Sequence, residues 1–210
     1  MQATRIDTLP MALSEVPPEV PATDRELATL LELARAGLPV APVVVVPAAV
    51  EERFYRFNNL PDRLIAAFAD VDPEDPDEDD VEEAVPVAQA LIRQHYLLDE
   101  VIDAFYAATR NLPPELRIRR PEHDGETAAR GRPALLALKH AYQRDWSFEA
   151  VWARLQARDA IALEARPVLV HGAEDRAAPQ PLLARVASLL ERRVAVRVTG
   201  DGRICGVRPA

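Results

Sequence analysis

The chain has 210 residues, of which 34 are acidic and 25 basic, so its formal net charge is −9. Ten of the acidic residues lie between Asp70 and Glu83, a stretch without a basic residue, and the rest of the chain is therefore nearly neutral. This balance argues against a nucleic-acid partner, which needs a positive field. Apolar runs are too short for a membrane span or a signal peptide, so we expect a cytoplasmic protein.

The first quarter of the chain predicts an extended arm followed by regular elements. Residues 1–22 contain four prolines and predict an extended arm, because proline lacks a backbone donor and disfavours helix in the residue before it. A helix is predicted from a cap at Thr23 or Asp24 to Gly37, since leucines recur with helical spacing. The β-branched run Val43–Val46 predicts a short buried strand. Two further helices are predicted over 48–57 and 61–69.

The acidic stretch 70–83 predicts a solvated, mobile loop whose end merges into the next helix. Ten like charges in fourteen residues repel one another, and two prolines interrupt them. Two alternatives stay open, namely an acidic segment that docks to a partner and a weak divalent-cation site. The calcium-loop pattern itself is incomplete, because Asp77 stands where that pattern needs glycine.

The remainder of the chain predicts a fold that mixes helices and strands. Its predicted elements are one or two helices over 86–110, a strand over 116–119 with its arginines on one face, a polar loop through Gly125 and Gly131, helices over 133–142 and from Ser147, a strand over 167–170, a helix over 182–192, and a hairpin of strands 194–198 and 203–207. This order predicts an α/β or α+β fold. We divide it into an arm (1–22), a first lobe (23–160) and a C-terminal α/β segment (161–210) that ends in the hairpin.

Residues 27–54, LATLLELARAGLPVAPVVVVPAAVEERF, resemble the start of the N-terminal nucleotide-binding domain of phosphoenolpyruvate synthase and pyruvate phosphate dikinase. The family opens with GGK, then a helix ending in ARAGLPVPPGF and a valine-rich strand. The later family pattern VAVRSSA, followed by a glycine-containing loop and a long helix, is similar to Leu116–Pro121, Gly125 and 134–142. The resemblance covers residues 23–160 and implies an ATP-grasp-like first lobe with a mixed sheet flanked by helices.

The departures from that family pattern remove its phosphate-binding groups. Where the family has GGK, this chain has Asp24, Arg25 and Glu26, so a carboxylate replaces the lysine. Where the family has VRSS, this chain has Ile118, Arg119, Arg120 and Pro121, which keeps the arginine and loses both hydroxyls. Lys139 is the only lysine of the chain, and the glycine-rich patterns GxxxxGK[ST] and GxGxxG are absent. The resemblance therefore implies a scaffold without phosphotransfer chemistry.

The candidate binding residues are arginines around the loop that aligns with the family's phosphate region. They are Arg117, Arg119 and Arg120, with Arg130 and Arg132 on the far side of the loop. Arginine forks suit phosphate and carboxylate, so these residues predict a residual anion site, with ATP and Mg²⁺ implied by resemblance alone. The alternative is an ordinary salt-bridged surface, because acidic residues are interleaved with the arginines.

Other side chains that could carry chemistry lack partners in the sequence. The four histidines are scattered, and only His171, beside Gly172, follows a predicted strand as a site residue would. The serines lack the GxSxG context of a nucleophile. Cys205 has no second cysteine for a disulfide or a zinc site, and we interpret it as a buried thiol. Trp146 and Trp152 are interpreted as core residues, with a partner-docking patch as the alternative. We predict neither catalytic residues nor metal ligands.

Three hypotheses for function follow. The first is a non-catalytic binding or assembly module derived from the nucleotide-binding domain, with a protein partner. The second is an ATP- or phosphate-binding subunit that works with a separate phosphotransferase partner and uses Arg119. The third is a regulatory partner of a full-length synthase that docks through residues 70–83.

Overall fold

A computed structural model describes residues 9–16, 24–158 and 165–210. Within these ranges it contains eight α-helices: α1 (Arg25–Arg35), α2 (Ala48–Phe57), α3 (Leu60–Ala67), α4 (Glu78–Gln94), α5 (Asp99–Thr109), α6 (Arg132–Arg144), α7 (Phe148–Arg158) and α8 (Gln180–Leu190). The same ranges contain eight strands: β1 (Met11–Ala12), β2 (Val44–Val46), β3 (Glu115–Arg119), β4 (Glu126–Ala129), β5 (Val168–Gly172), β6 (Asp175–Ala177), β7 (Val194–Thr199) and β8 (Ile204–Pro209). The predicted α+β class is confirmed.

The strands form two antiparallel sheets. The five-stranded sheet has the order β1-β2-β5-β3-β4, and the three-stranded sheet has the order β6-β7-β8. Each pairing between these named strands is antiparallel, whereas the family resemblance implies a mixed sheet. The segment before β2 joins the two sheets, since the amide of Ala41 donates to the carbonyl of Ile204 and the amide of Ile204 donates to that of Pro39.

Strand β2 of the five-stranded sheet is buried on both faces, which explains the uninterrupted valine run. Val44 and Val46 face the larger core, which α2 to α7 cover. Val43 and Val45 face a second core, shared with α1, α8 and the three-stranded sheet. Successive strand residues point to opposite faces, so a strand that is covered on both sides is apolar at every position. The molecule thus has three layers, with this sheet in the middle.

The predicted boundary near residue 160 does not separate the sheets. Strand β5 comes from the predicted C-terminal segment, yet it lies between β2 and β3 in the five-stranded sheet. The hairpin predicted at the C-terminus is present as β7 and β8, which pair directly. Of the predicted N-terminal arm, residues 9–16 are described, and they contain β1 and a short 3₁₀ turn; the rest of the arm lies outside the described residues.

Two local expectations are corrected. The acidic loop ends at Asp77, because α4 begins at Glu78 and runs through Pro86, where a helix was predicted to begin. Asp77 caps this helix and three acidic residues occupy its first turn, so the carboxylates that repel one another in a loop stabilise a helix N-terminus. The polar loop before α6 contains β4, which Gly125 and the register with β3 bring alongside that strand.

No helix within the described ranges has both the length and the apolar character that crossing a membrane requires.

Candidate functional site

Arg119, the last residue of strand β3, and Arg120, which follows it, enter opposite layers of the molecule. Arg119 lies on the face toward α1 and the three-stranded sheet, and Arg120 lies toward the helices of the larger core. Both side chains are about 95% buried, with relative exposures of 4% and 5%. A buried guanidinium needs a counter-charge and hydrogen-bond acceptors, and each arginine meets this need with a different set of partners.

Arg119 binds both carboxylate oxygens of Glu26. Its Nη1 and Nη2 atoms lie 2.7 and 2.8 Å from the two oxygens. The same oxygens accept the backbone amides of Glu122 and Val207, at 2.5 and 2.9 Å. Burial alone raises the pKa of Glu26, but the hydrogen bonds and charge of Arg119 outweigh burial and hold that pKa below its ordinary value. Glu26 is therefore an ionised carboxylate enclosed by four donors.

The position of Glu26 follows from the start of α1. Asp24 accepts the amides of Glu26 and Leu27 through one side-chain oxygen and so caps the helix. The helix places Glu26 beside Leu27 and Leu30 on its buried face. This face lies against β8 and the end of β3, where Arg119 stands. The Asp24 cap therefore fixes the position of Glu26, whose carboxylate binds Arg119.

The remaining donors of Arg119 also have acceptors. Its Nε donates to Nε2 of His171 at 3.1 Å, and its Nη atoms also donate to the carbonyls of Cys205, at 2.9 Å, and Arg120, at 3.4 Å. An arginine has five N–H groups, and these contacts use all five. Only about 10 Å³ of cavity borders the cluster, which is room for one water molecule.

His171 is a neutral acceptor in this cluster. Its Nε2 receives the Arg119 hydrogen bond, and its Nδ1 lies 2.9 Å from the carbonyl of Gly172. This arrangement requires the proton on Nδ1, because Nε2 must accept. Burial, together with the positive charge of Arg119, lowers the pKa of His171 to about 4. His171 thus orients Arg119 and remains uncharged at neutral pH.

Arg120 belongs to a larger network on the helical side. Its guanidinium binds Glu51 at 2.8 Å and also binds Asp145 and the carbonyl of Arg166. Glu51 accepts two more hydrogen bonds, from the Tyr55 hydroxyl at 3.1 Å and from the amide of Arg166 at 3.0 Å. The Nε of Arg120 has no hydrogen-bond partner among the described residues. A cleft of about 440 Å³ borders this network.

Arg117 is the most accessible of the three predicted arginines. It is one-quarter exposed, lies 3.6 Å from Asp175 and donates to the carbonyl of Ala173 at 3.3 Å. Asp175 is itself held by Arg197 at 2.6 and 2.7 Å. Arg117 and Arg119 therefore share one face of β3 while Arg120 enters the other. The three residues do not converge on one ligand position, and the anion site at Arg117, Arg119 and Arg120 stays a prediction.

The loop between β3 and β4 closes over the Arg119 cluster. Gly125 has a φ of +72°, and a Cβ atom there would lie 2.2 Å from the carbonyl oxygen of Ile118 and 2.3 Å from Cβ of Arg119. Glu122, which donates its amide to Glu26, has a φ of +63°. Only glycine allows the loop to approach β3 this closely. Gly125 thus holds the amide of Glu122 against the carboxylate.

The other predicted candidates have structural contacts. Arg130 donates to the carbonyls of Arg110 and Leu112. Cys205 is a buried free thiol, and burial raises its pKa to about 11. Trp146 is buried and donates to the Tyr55 hydroxyl at 3.1 Å. In the described parts of the chain, no three histidine, cysteine or acidic side chains come together as metal ligands would.

Sequence reasoning missed the two glutamates that neutralise the arginines. Glu26 departs from the lysine of the family pattern, but no local sequence pattern indicates its ion pair with Arg119. Glu51 was not singled out. Both residues lie on the buried face of a helix, Glu26 beside Leu27 and Leu30 at the start of α1, and Glu51 beside Val50, Phe54 and Tyr55 in α2. An acidic residue inside an apolar helical stripe is the signal that predicts a buried ion pair.

Comparison with known proteins identifies no relative: no protein-family model matches the chain, and no curated protein matches it.

Proposed function

We propose that this chain is a non-catalytic binding or assembly module, related to the N-terminal nucleotide-binding domain of phosphoenolpyruvate synthase and pyruvate phosphate dikinase. One observation carries the proposal. Arg119, which aligns with the arginine of the family's VRSS motif, donates all five of its N–H groups to acceptors within the chain. The carboxylate that it binds belongs to Glu26, which stands at the position of the family's lysine.

Charge and space both support this proposal. A phosphate at Arg119 would have to displace the carboxylate of Glu26, which has four donors of its own. Leaving that carboxylate buried without its counter-charge costs about 3–5 kcal/mol. The adjoining cavity of about 10 Å³ has no room for a phosphate group. The internal ion pair thus takes the place that a nucleotide phosphate would need.

The test is calorimetric titration of the full chain with ATP and Mg²⁺. We expect no heat of binding and no phosphate release from ATP in the presence of pyruvate. Saturable heat that Arg119→Lys weakens would overturn the proposal and support the alternative, an ATP-binding subunit that works with a separate phosphotransferase. Arg119→Lys keeps the charge beside Glu26, and circular dichroism checks that it folds. Glu83→Gln, an exposed change in α4, serves as the control.

We also propose a cytoplasmic location and a protein partner. The single cysteine, unpaired and buried, is typical of proteins from reducing compartments. The acidic residues between Asp70 and Glu83 are solvent-exposed, so a basic surface of a partner can reach them. A contact of this kind weakens as salt rises. Binding that persists at high salt and after removal of the charges in residues 70–83 would exclude this segment as the docking surface.

A further inference from the structure

A cleft lies at the end of the five-stranded sheet that is opposite to the ion pair of Arg119 and Glu26. The segment before β2, the start of β3 and the end of β5 meet there, and the β7–β8 turn forms the opposite wall. Its volume is about 710 Å³, within the roughly 300–1,000 Å³ range of small-molecule sites. Neither Arg119 nor Glu26 lines it.

The walls of this cleft are apolar and rigid. Pro42, Leu112, Pro113, Pro114 and Ala173 contribute carbon surface. Pro113 lies so close to Gly172 that a Cβ atom on the glycine would stand 3.1 Å from the proline ring. Proline fixes φ in the wall, and the amide of Ala173 binds the carbonyl of Glu115 at 3.0 Å. The cleft is therefore formed by backbone that is already tied to the sheet.

The charge of the cleft is negative. Glu115 and Glu174 line it and have no ion pair with any described residue, whereas Asp201 is neutralised by Arg203 at 3.2 Å. The carboxylate of Glu174 reaches the β7–β8 turn, since its Oε2 would be 2.9 Å from a Cβ atom on Gly200. Two uncompensated carboxylates on a wall of prolines attract a cation that also has an apolar body.

We propose that this cleft binds an organic cation, a guanidinium or primary ammonium group on a short aliphatic chain, either as a free small molecule or as the basic side chain of a peptide. The aliphatic part lies along Pro113 and Pro114, and the cationic head lies between Glu115 and Glu174. A metal ion is the poorer fit, because the described residues bring no three metal-ligating side chains together. The charge preference is opposite to that of a nucleotide, so this site is independent of the proposed function.

The first experiment compares n-butylguanidinium with n-butylurea, which has nearly the same shape and no charge. Both are titrated into the isotope-labelled full chain while backbone amides are followed by NMR. With the cation we expect saturable shifts at Gly172 and Gly200, which line the cleft, and none at Gly131, which lies elsewhere. Equal shifts with both compounds, or no saturable shift with the cation, overturn the proposal.

The second experiment assigns the charge to its residues. Glu115 and Glu174 are solvent-exposed, so Glu115→Gln and Glu174→Gln are expected to fold normally. We expect each change to weaken n-butylguanidinium binding about fivefold, as exposed ion pairs do, and the control Glu83→Gln to leave it unchanged. Unaltered affinity in the double variant Glu115→Gln/Glu174→Gln contradicts the proposal even if the cation binds elsewhere.

The source of the cation is distinguished with a capped residue, N-acetyl-arginine methylamide. Tighter binding of this compound than of n-butylguanidinium indicates a peptide ligand, and weaker binding indicates a free cation; both outcomes support the site. Failure of both compounds overturns it, while ATP binding at Arg119 would leave it untouched. The two proposals can therefore fail separately.

Discussion

The clusters around Arg119 and Arg120 use the same chemistry in two different environments. Arg119 has one carboxylate partner, Glu26, whose other acceptor sites are filled by backbone amides. Arg120 has two, Glu51 and Asp145, and Asp145 also binds the half-exposed Arg166 at 2.7 Å. The first cluster adjoins a cavity of about 10 Å³ and the second a cleft of about 440 Å³.

This difference separates a closed ion pair from an open network. The cavity beside the closed pair has room for only one water molecule, so removal of one charge leaves the other in a low-dielectric interior with little solvent. In the open network, Asp145 is partly exposed and binds the Arg166 guanidinium, and Glu51 accepts the Arg166 amide, so each carboxylate keeps a donor when Arg120 is lost. The two adjacent arginines should therefore differ in their contribution to stability, although their exposures are nearly equal.

The largest expected effect comes from Arg119→Met. Because Glu26 is then left without a counter-charge, we expect the free energy of unfolding to fall by about 3–5 kcal/mol. Arg120→Met should cost about 2 kcal/mol, since Asp145 keeps its ion pair with Arg166 and Glu51 keeps the donors of Tyr55 and the Arg166 amide. Urea denaturation of both variants measures the difference. In the double variant Glu26→Met/Arg119→Met the loss should be smaller than in Arg119→Met alone; an equal or larger loss contradicts the closed-pair interpretation.

His171 should make the Arg119 cluster sensitive to pH. Its pKa falls from an ordinary 6.5 to about 4 in the folded chain, so the unfolded chain binds a proton over this range and the folded chain does not. Stability is therefore fully present above pH 6.5 and declines by about 3 kcal/mol as pH falls to 4. Urea denaturation between these pH values measures the slope.

The matched variant for this prediction is His171→Gln. A glutamine side chain can accept from Arg119 and donate to a carbonyl, but it does not titrate. Glu26 and Asp175, whose pKa values are also lowered, lose stability in both proteins as they become protonated, so the difference between the two curves isolates His171. Identical curves would show that His171 is protonated in the folded chain.

Gly125 and Gly37 provide a matched test of the loop that closes the Arg119 cluster. Their φ values are nearly the same, +72° and +74°, but only Gly125 has atoms within contact distance of an added Cβ. Gly37→Ala should therefore cost about 1 kcal/mol, for backbone strain alone. Gly125→Ala should cost about 2–3 kcal/mol because overpacking is added to that strain. Equal losses in thermal denaturation would mean that the loop can move away from β3.

The smallest expected effect is that of Asp145→Asn. The Asp145 side chain is 13% exposed. Glu51 also binds Arg120, so Arg120 keeps one carboxylate partner when the charge of Asp145 is removed. We expect a loss of about 1 kcal/mol, and we expect added salt to reduce the difference from the wild-type chain. Urea denaturation in low and high NaCl measures it. A loss as large as that of Arg119→Met would show that the Arg120 network is closed as well.

The sequence was sufficient to predict elements with a local signal. A cap at Thr23 or Asp24 and the leucine spacing predict α1, the valine run predicts β2, and the turn Gly200–Gly202 predicts the C-terminal hairpin. All three elements are confirmed, with Asp24 as the cap of α1. The place of β5 between β2 and β3 could not be predicted, because pairing between strands distant in sequence leaves no local pattern. The start of α4 was missed because the same carboxylates repel in a loop and stabilise a helix N-terminus.

The candidate site was predictable only in part. Arg119 and Arg120 were singled out as anion-binding residues, and the structure gives each of them carboxylates from its own chain. Glu26 is 93 residues from Arg119 in sequence, and no periodicity joins two residues so far apart. The alternation of the predicted strand 116–119 places Arg117 and Arg119 on one face, whereas Arg120 follows that strand, so no strand periodicity predicts the layer that it enters.

The central position of β5 has a consequence for how the chain is made. Strand β5 follows both β2 and β3 in the chain and lies between them in the sheet, so both neighbours leave the ribosome before it, each with an unpaired edge. Pairing across such distances is slow. The larger core can therefore be completed only after residue 172 is available, and a chain interrupted before that point has exposed strand edges that favour aggregation.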